Sequence, residues 1–295
     1  MTFACTKSLF IITTKVQYLT LGILAIFWGS SFILMKEGLK EFSSVQVAAL
    51  RMLIAGVVLL PFIKKKDLAE AKPQWHYFAL SGLLGSGIPA LLFTAAQVHI
   101  SSSLAGALNG LTPLFTLLVG VLFLGVKFNK LKLFGVLFGL AGAFLLSSSD
   151  SLTFNNYSLL VILATLCYGV NVNIIKHKLA AYNPMLVAAF PLAFLALFSF
   201  IILLFTGMPF DVSSPQYLRA GTAILILSII GTALSLVLFN KLIKNTTAVF
   251  ASSVTYLIPI VALFWGFIDD EIISLYQLCG LGSILIAIWL IKKSK

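Results

Sequence analysis

The chain has 295 residues, of which 60% are hydrophobic and 10% charged, and its formal net charge is +11. Because average soluble domains are roughly 45–50% apolar and about 25% charged, this composition excludes an ordinary water-soluble globule. The basic residues lie in small groups between apolar runs and form no extended basic face. This placement argues against nucleic acid as a partner and favours a lipid bilayer.

Uninterrupted apolar stretches predict ten membrane-spanning helices, since one span needs about 20 mostly apolar residues. In chain order, the helices are predicted at 17–36, 45–63, 75–97, 103–125, 131–148, 157–176, 184–206, 218–240, 246–268 and 274–291. Residues 1–16 hold a short apolar run with two lysines, and we interpret them as a cytoplasmic tail or an over-long start.

The placement of Lys and Arg predicts the side of the membrane on which each loop lies. With the N-terminus inside, 16 of the 20 basic residues fall in inner segments. Three fall in outer segments, namely Lys36, Lys40 and Arg219, and Arg51 lies within a helix. Because cytoplasmic loops carry the excess of Lys and Arg, we expect a multi-pass protein of the plasma (inner) membrane with both termini cytoplasmic.

The chain repeats itself weakly. A shift of 140 residues aligns Trp28-Gly29 with Tyr168-Gly169, and a shift of 146 aligns Gly85 with Gly231 and Pro113 with Pro259. These matches predict two five-helix units, at 17–148 and 157–292. Because five is odd, the second unit enters the membrane from the opposite side, which is the inverted symmetry typical of secondary transporters.

Two stretches resemble an EamA-type repeat of the drug/metabolite transporter superfamily. The first is LAIFWGSSF at 24–32, followed by AALR at 48–51, and the second is GTALS at 231–235, followed by Pro259 and Glu271. The resemblance implies a ten-helix exporter or importer of small metabolites that works by alternating access around a central cavity. Val126 stands where the first repeat often has a glutamate, so a role for that carboxylate does not extend to the first half.

Polar residues inside spanning helices are costly in lipid and face the bundle or a cavity. On this ground, and because prolines at matching positions indicate kinked helices, we predict a set of cavity-lining residues. They are Trp28, Ser31, Asn109, Thr112, Pro113, Tyr168, Asn171, Ser252, Thr255, Tyr256 and Pro259. Helix packing is the alternative interpretation of the prolines, and packing or interfacial positions that of the aromatic residues.

A second hypothesis assigns gating to charged residues near the outer side of the membrane. Arg51 is expected to pair with Glu37 or Glu41 as a structural anchor, and direct contact with a substrate is the alternative. Glu37 and Glu271 are interfacial groups suited to coupling, since no Asp or Glu lies in the middle of a predicted helix. The acidic run ending at Glu271 has no second acidic cluster to face it, so we predict no metal site and no cofactor.

These observations together predict an all-α polytopic membrane protein. We expect a secondary active or facilitative transporter of small metabolites such as amino acids or drug-like compounds, with a small-molecule substrate and the lipid bilayer as partners. The alternatives are an intramembrane enzyme, which needs a buried nucleophile and base that we do not find, and a channel-like scaffold, which the inverted duplication disfavours. The oligomeric state is left open, and a monomer is among the states that the sequence allows.

Overall fold

The computed structural model describes residues 13–100, 102–146, 156–207, 214–261 and 275–294, and within these ranges all regular structure is helical. The helices of the first half are α1 (Thr14–Gly38), α2 (Ser44–Leu59), α3 (Lys65–Ala71), α4 (Trp75–Gly82), α5 (Ile88–Gln97), α6 (Ser102–Asn109), α7 (Thr112–Phe123) and α8 (Lys130–Leu146). Those of the second half are α9 (Ser158–Ile174), α10 (Pro184–Thr206), α11 (Pro215–Ser228), α12 (Ser235–Asn245), α13 (Ala248–Ser252) and α14 (Leu275–Lys293).

Seven helical segments of the described ranges are long and apolar enough to cross a bilayer. They are Thr14–Gly38, Ser44–Phe62, Lys65–Gln97, Leu104–Phe123, Ser158–Leu179, Pro184–Thr206 and Pro215–Asn245. Long helices satisfy their own backbone hydrogen bonds, which lipid does not do, so the fold is that of an integral membrane protein. The other three predicted spans overlap α8, the shorter helix Ala248–Val261 and α14. The count of ten spans therefore stays a prediction.

The third helical segment begins ten residues before the predicted start, at Lys65 instead of 75. The side chain of Asp67 accepts a hydrogen bond of 2.9 Å from the backbone N–H of Lys64, which caps the first turn of α3. The prediction divided the sequence at charged residues, and this charged first turn was therefore assigned to a loop.

The two halves of the chain contact each other reciprocally. A Cβ atom added to Gly29 would lie 2.7 Å from Cβ of Val261 in the second half. A Cβ atom added to Gly169, the counterpart of Gly29 at a shift of 140, would lie 2.8 Å from Cβ of Phe115, the counterpart of Val261 at a shift of 146. The same contact is therefore made twice with the two halves exchanged, as in a pair of similar units related by a two-fold axis.

Glycines let the helices of the two halves approach closely. In α2, a Cβ atom on Gly56 would lie 2.4 Å from the carbonyl oxygen of Leu192 in α10. Helix α2 thus packs directly on the backbone of α10, which is the close approach that small residues permit between membrane helices.

Candidate substrate-binding cavity

A cavity lies between the two halves and is lined by residues of both. Its volume is about 90 Å³, counted as the space open to the centre of a water molecule. Because one water needs about 10–15 Å³ of such space, the cavity has room for roughly six to nine waters or for a small metabolite. The bundle thus encloses a space of the right size for the predicted substrates.

Eight of the eleven predicted cavity residues line this space. The polar ones are Ser31, Asn109, Thr112, Asn171, Ser252 and Thr255, and the aromatic ones are Trp28 and Tyr168. The hydroxyl groups of Ser31, Thr112, Ser252 and Thr255 all donate to carbonyl oxygens within their own helical segments. Their oxygen lone pairs remain available as acceptors at the cavity wall.

Both helical segments that carry the paired prolines are interrupted next to the cavity. Residues 110–111 separate α6 from α7, and a 3₁₀ turn at Ser253–Tyr256 follows α13. Pro113 lies in the first turn of α7, where its missing N–H leaves no bond unmade. The interruptions agree with the predicted kinks, and they place Asn109 and Ser252 at helix ends on the cavity wall.

Glycines within two π-helical turns bring the backbone to the cavity, and these turns are Leu83–Gly87 and Ile229–Leu234. A Cβ atom on Gly85 would lie 2.1 Å from Nδ2 of Asn171, and one on Gly231 would lie 2.6 Å from Oγ of Ser31. Only glycine permits such approaches. The two contacts are again reciprocal between the halves, and π-turns of this kind are frequent at functional sites.

Aromatic rings flank the cavity in the same reciprocal way. Trp28 contacts Phe239 edge to face with ring centroids 4.9 Å apart, and Tyr168 packs on Phe93 with centroids 6.0 Å apart. The indole nitrogen of Trp28 also donates to the carbonyl oxygen of Gly231 at 3.1 Å, which fixes the ring. These rings give the cavity a mainly apolar wall, as is usual for small-molecule sites.

Asn171 carries an unsatisfied polar atom at the cavity wall. Its Oδ1 is buried and has no hydrogen-bond partner among the described residues. An unpaired buried acceptor costs about 1–3 kcal/mol and is uncommon in native proteins. Asn171 therefore adds an amide to the cavity wall at a cost in stability.

Arg51 does not form the predicted ion pair. Its Nε donates to Oγ1 of Thr232 at 2.6 Å, and Arg51 lines the cavity. Glu37 instead pairs with Lys40, three residues further along the chain, at 2.5 Å, since side chains at this spacing are neighbours near a helix end. Within the described residues, no ion pair joins Arg51 to Glu37 or to Glu41. The predicted pairing of Arg51 with Glu37 or Glu41 is therefore not formed, and its alternative, direct contact with a substrate, stays a prediction for a residue of the cavity wall.

Three predicted cavity residues lie outside its wall. Pro113 and Pro259 are buried after the helix interruptions and do not line the cavity. Tyr256 is fully buried against α8, where its hydroxyl donates to the carbonyl oxygen of Val136 at 2.8 Å. Its ring fills the space left by the missing side chain of Gly139, whose added Cβ would lie 2.7 Å from the ring. The assignment of these three residues to the cavity is corrected accordingly.

Replacing Tyr256 with phenylalanine tests this structural role. Tyr256→Phe removes the hydrogen bond to Val136, so we expect the free energy of unfolding to fall by about 1 kcal/mol while the cavity is unchanged. Tyr276→Phe is the matched control, because Tyr276 is 70% exposed. Thermal unfolding of the purified variants measures the effect, and a loss of ligand binding by folded Tyr256→Phe protein would contradict the assignment.

Some cavity residues were not singled out in the sequence. Gly85, Ser86, Gly231 and Thr232 also line the wall. Their signal was present, because Gly85 aligns with Gly231 in the repeat and the second quoted motif begins with Gly231-Thr232. Glu271, predicted to take part in gating, lies outside the described residues.

A helical membrane bundle with two reciprocal halves around a small, mainly apolar cavity has the architecture of a membrane transporter. The sequence profile of the EamA-like transporter family matches residues 16–148 and 155–292. The chain belongs to this family, so the resemblance seen in the sequence is confirmed. Its class is that of a membrane transporter and not of an enzyme.

Relatives of known name agree with this class. The chain is 28% identical over 283 residues to the uncharacterized inner membrane transporter YedA of Escherichia coli, covering 92% of this chain and 89% of the relative. It is 23% identical over 250 residues to a probable terminal-alkyne amino-acid exporter of Streptantibioticus cattleyicolor, covering 82% and 81%. A crystal structure with 17% sequence identity matches with a TM-score of 0.74 over 94% of this chain and 96% of that chain, which shows a shared fold.

Proposed function

We propose that this protein is a secondary active or facilitative transporter that carries small metabolites, such as amino acids or drug-like compounds, through the cavity between its two halves. The observation that carries the proposal is the cavity itself, since residues of both halves line it and its wall combines aromatic rings with a few polar groups. That combination suits an amphipathic small molecule. The relative from S. cattleyicolor, named as a probable amino-acid exporter, supports substrates of this size.

The proposed architecture is ten spans arranged as two inverted five-helix repeats, at 17–148 and 157–292, after a cytoplasmic tail at 1–16. The 16 basic residues of the inner segments support cytoplasmic placement of both termini. The E. coli relative, named as an inner membrane transporter, supports the plasma (inner) membrane as the location.

The reciprocal contacts support an alternating-access mechanism. When two similar halves meet through the same contacts with their roles exchanged, exchanging their conformations converts a state open to one side into a state open to the other. The glycine contacts of Gly29 with Val261 and of Gly169 with Phe115 form one such exchangeable pair.

A thermal-shift screen of the purified protein against a metabolite library tests whether the cavity binds a ligand. A ligand raises the melting temperature in proportion to the logarithm of its excess over its dissociation constant. We expect at least one small metabolite to stabilise the protein, and Trp28→Ala to reduce the shift because it removes a wall of the cavity. Trp289→Ala is the control, since Trp289 is 54% exposed and lies outside the cavity. A hit whose shift is unchanged in Trp28→Ala would place binding elsewhere and contradict the proposal.

A further inference from the structure

The guanidinium group of Arg51 is the one charged group among the described residues that line the central cavity. Its Nε–H donates a hydrogen bond to Oγ1 of Thr232. Its two terminal nitrogens, Nη1 and Nη2, make no hydrogen bond to a described residue, and Arg51 lines the cavity. The cavity wall therefore carries a cation with four N–H donors that no described residue accepts, and no acidic residue is among the described residues of this wall.

A charge in this position is costly without a counter-charge. A cation within a spanning helix is expensive in lipid, and such residues mark substrate pathways when they face a cavity. The hydroxyl group of Thr232 is a neutral acceptor, and it leaves the charge of Arg51 uncompensated. The group that completes this site is an anion, and the described residues of the cavity wall supply none.

Resting on the proposed transport function, we propose that Arg51 binds the carboxylate of the substrate, so that the protein carries small monocarboxylates. With Nε engaged by Thr232, the end of the guanidinium formed by Nη1 and Nη2 remains for a paired, bidentate contact, which matches the geometry of a carboxylate. One cation balances one negative charge. A phosphate dianion would leave a net negative charge in the cavity, which a single arginine does not offset.

Comparison of the two repeats shows that only one half contributes a cation to the described wall of the cavity. The position that corresponds to Arg51 in the second half is Pro191, at a shift of 140. The cation thus breaks the symmetry of an otherwise reciprocal cavity, and it gives a bound anion one orientation. Recognition of a substrate with one charged end needs such a difference between the halves.

A second cavity strengthens the case for an anion. Its volume is about 180 Å³, and Thr116, one turn beyond Thr112 on α7, places it next to the first. The ionisable groups among its described lining residues are all basic: Lys132, Lys176 and His177. Lys176 donates to the carbonyl oxygen of Ile243 at 2.9 Å, a neutral acceptor. Positive groups in a cleft raise the local concentration of anions, so this second cavity also favours them.

The test compares ligands that differ only in the charge of one group. The probes are the twenty protein amino acids and a set of monocarboxylates comprising butyrate, benzoate and phenylacetate, each beside its primary amide, with inorganic phosphate as a separate arm. Dissociation constants are measured on the full-length purified protein. We expect at least one carboxylate to bind about 10- to 100-fold more tightly than its amide, the range for a hydrogen bond to a charged group.

Substitutions of Arg51 test whether this residue causes the preference for carboxylate over amide. Arg51→Gln should weaken carboxylate binding about 10- to 100-fold and leave the amide unchanged, and Arg51→Lys should restore part of it. Arg219→Gln removes the same charge from an exposed position outside the cavity and should change nothing. The comparison of carboxylate with amide in the unmodified protein needs no variant, so it stands even if Arg51→Gln fails to fold.

The failure of this inference is distinct from that of the transport function. Equal binding of carboxylate and amide, tighter binding of phosphate, or unchanged carboxylate binding in folded Arg51→Gln protein would overturn the role of Arg51. If a neutral or cationic metabolite is still transported in any of these cases, the transport function stands. If no metabolite at all is bound or transported, the transport function itself is overturned.

Discussion

Asn171→Leu is expected to yield a more stable protein that transports more slowly. Leucine has nearly the shape of asparagine and fills the same space against Gly85. The substitution removes a buried oxygen that has no partner, so the free energy of unfolding should rise by about 1–3 kcal/mol. It also removes an amide side chain from the cavity wall, so the transport rate should fall by at least about tenfold, as for the loss of one hydrogen bond of about 1.4 kcal/mol.

Asn240→Leu is the matched control for this result. Asn240 also has a buried Oδ1 without a partner among the described residues, but it does not line the cavity. The Asn240→Leu substitution should therefore raise the free energy of unfolding and leave the transport rate unchanged. Thermal unfolding and solute uptake are measured on both variants. Full transport by Asn171→Leu, or equal losses in the two variants, would remove Asn171 from the binding site.

Gly56→Leu is expected to prevent the two halves from packing. The added Cβ atom alone would lie 2.4 Å from the carbonyl oxygen of Leu192 and 2.6 Å from Cβ of Ala196, both in α10. Because a backbone oxygen has no rotamer to change, α2 and α10 must move apart. Overpacking of this kind costs about 3 kcal/mol or more at the upper end of the measured range.

The control is Gly22→Leu, because a Cβ atom on Gly22 would have nothing within 4 Å. The yield of monodisperse protein in size-exclusion chromatography and the melting temperature report the outcome. We expect a large loss for Gly56→Leu and little change for Gly22→Leu. Similar behaviour of the two variants would mean that the close contact of α2 with α10 does not hold the halves together.

The sequence predicted the class of fold because lipid leaves few choices. Apolar runs of membrane length must form helices when no water can satisfy the backbone, and seven of the predicted segments do so at that length in the described ranges. The first turn of α3 was missed because its charges were taken for a loop, although Asp67 caps a helix there. The orientation in the membrane rests on charge placement alone and remains a prediction.

The polar half of the cavity was predictable, since a polar side chain in a spanning helix has few other places to go. Asn109 and Thr112 lie on the wall as expected, and so do Ser252 and Thr255. The assignment of Tyr256 failed for a reason outside its own helix. Its position depends on the vacant side of Gly139 in α8, 117 residues away in the chain, and a local pattern does not report such a vacancy.

The partner of Arg51 likewise depends on a segment that is distant in the sequence. Sequence distance suggested Glu37 or Glu41 as its partner, but Glu37 pairs with Lys40 within its own helix end. The π-turn that brings Thr232 to Arg51 arises from the way the second half packs against the first, and no spacing in the sequence predicts it. Contacts between distant segments therefore decided the parts of the site that the sequence left open.

Solute uptake into proteoliposomes tests most directly the claim that substrate passes through the cavity between the halves. The solute is the tightest ligand found in the thermal-shift screen, and the samples are wild type, Asn171→Leu, Asn240→Leu and protein-free vesicles. We expect saturable uptake by wild type and Asn240→Leu, and uptake by Asn171→Leu that is at least about tenfold slower. Uptake by Asn171→Leu equal to that of wild type would contradict passage through this cavity, as would wild-type uptake no faster than in protein-free vesicles.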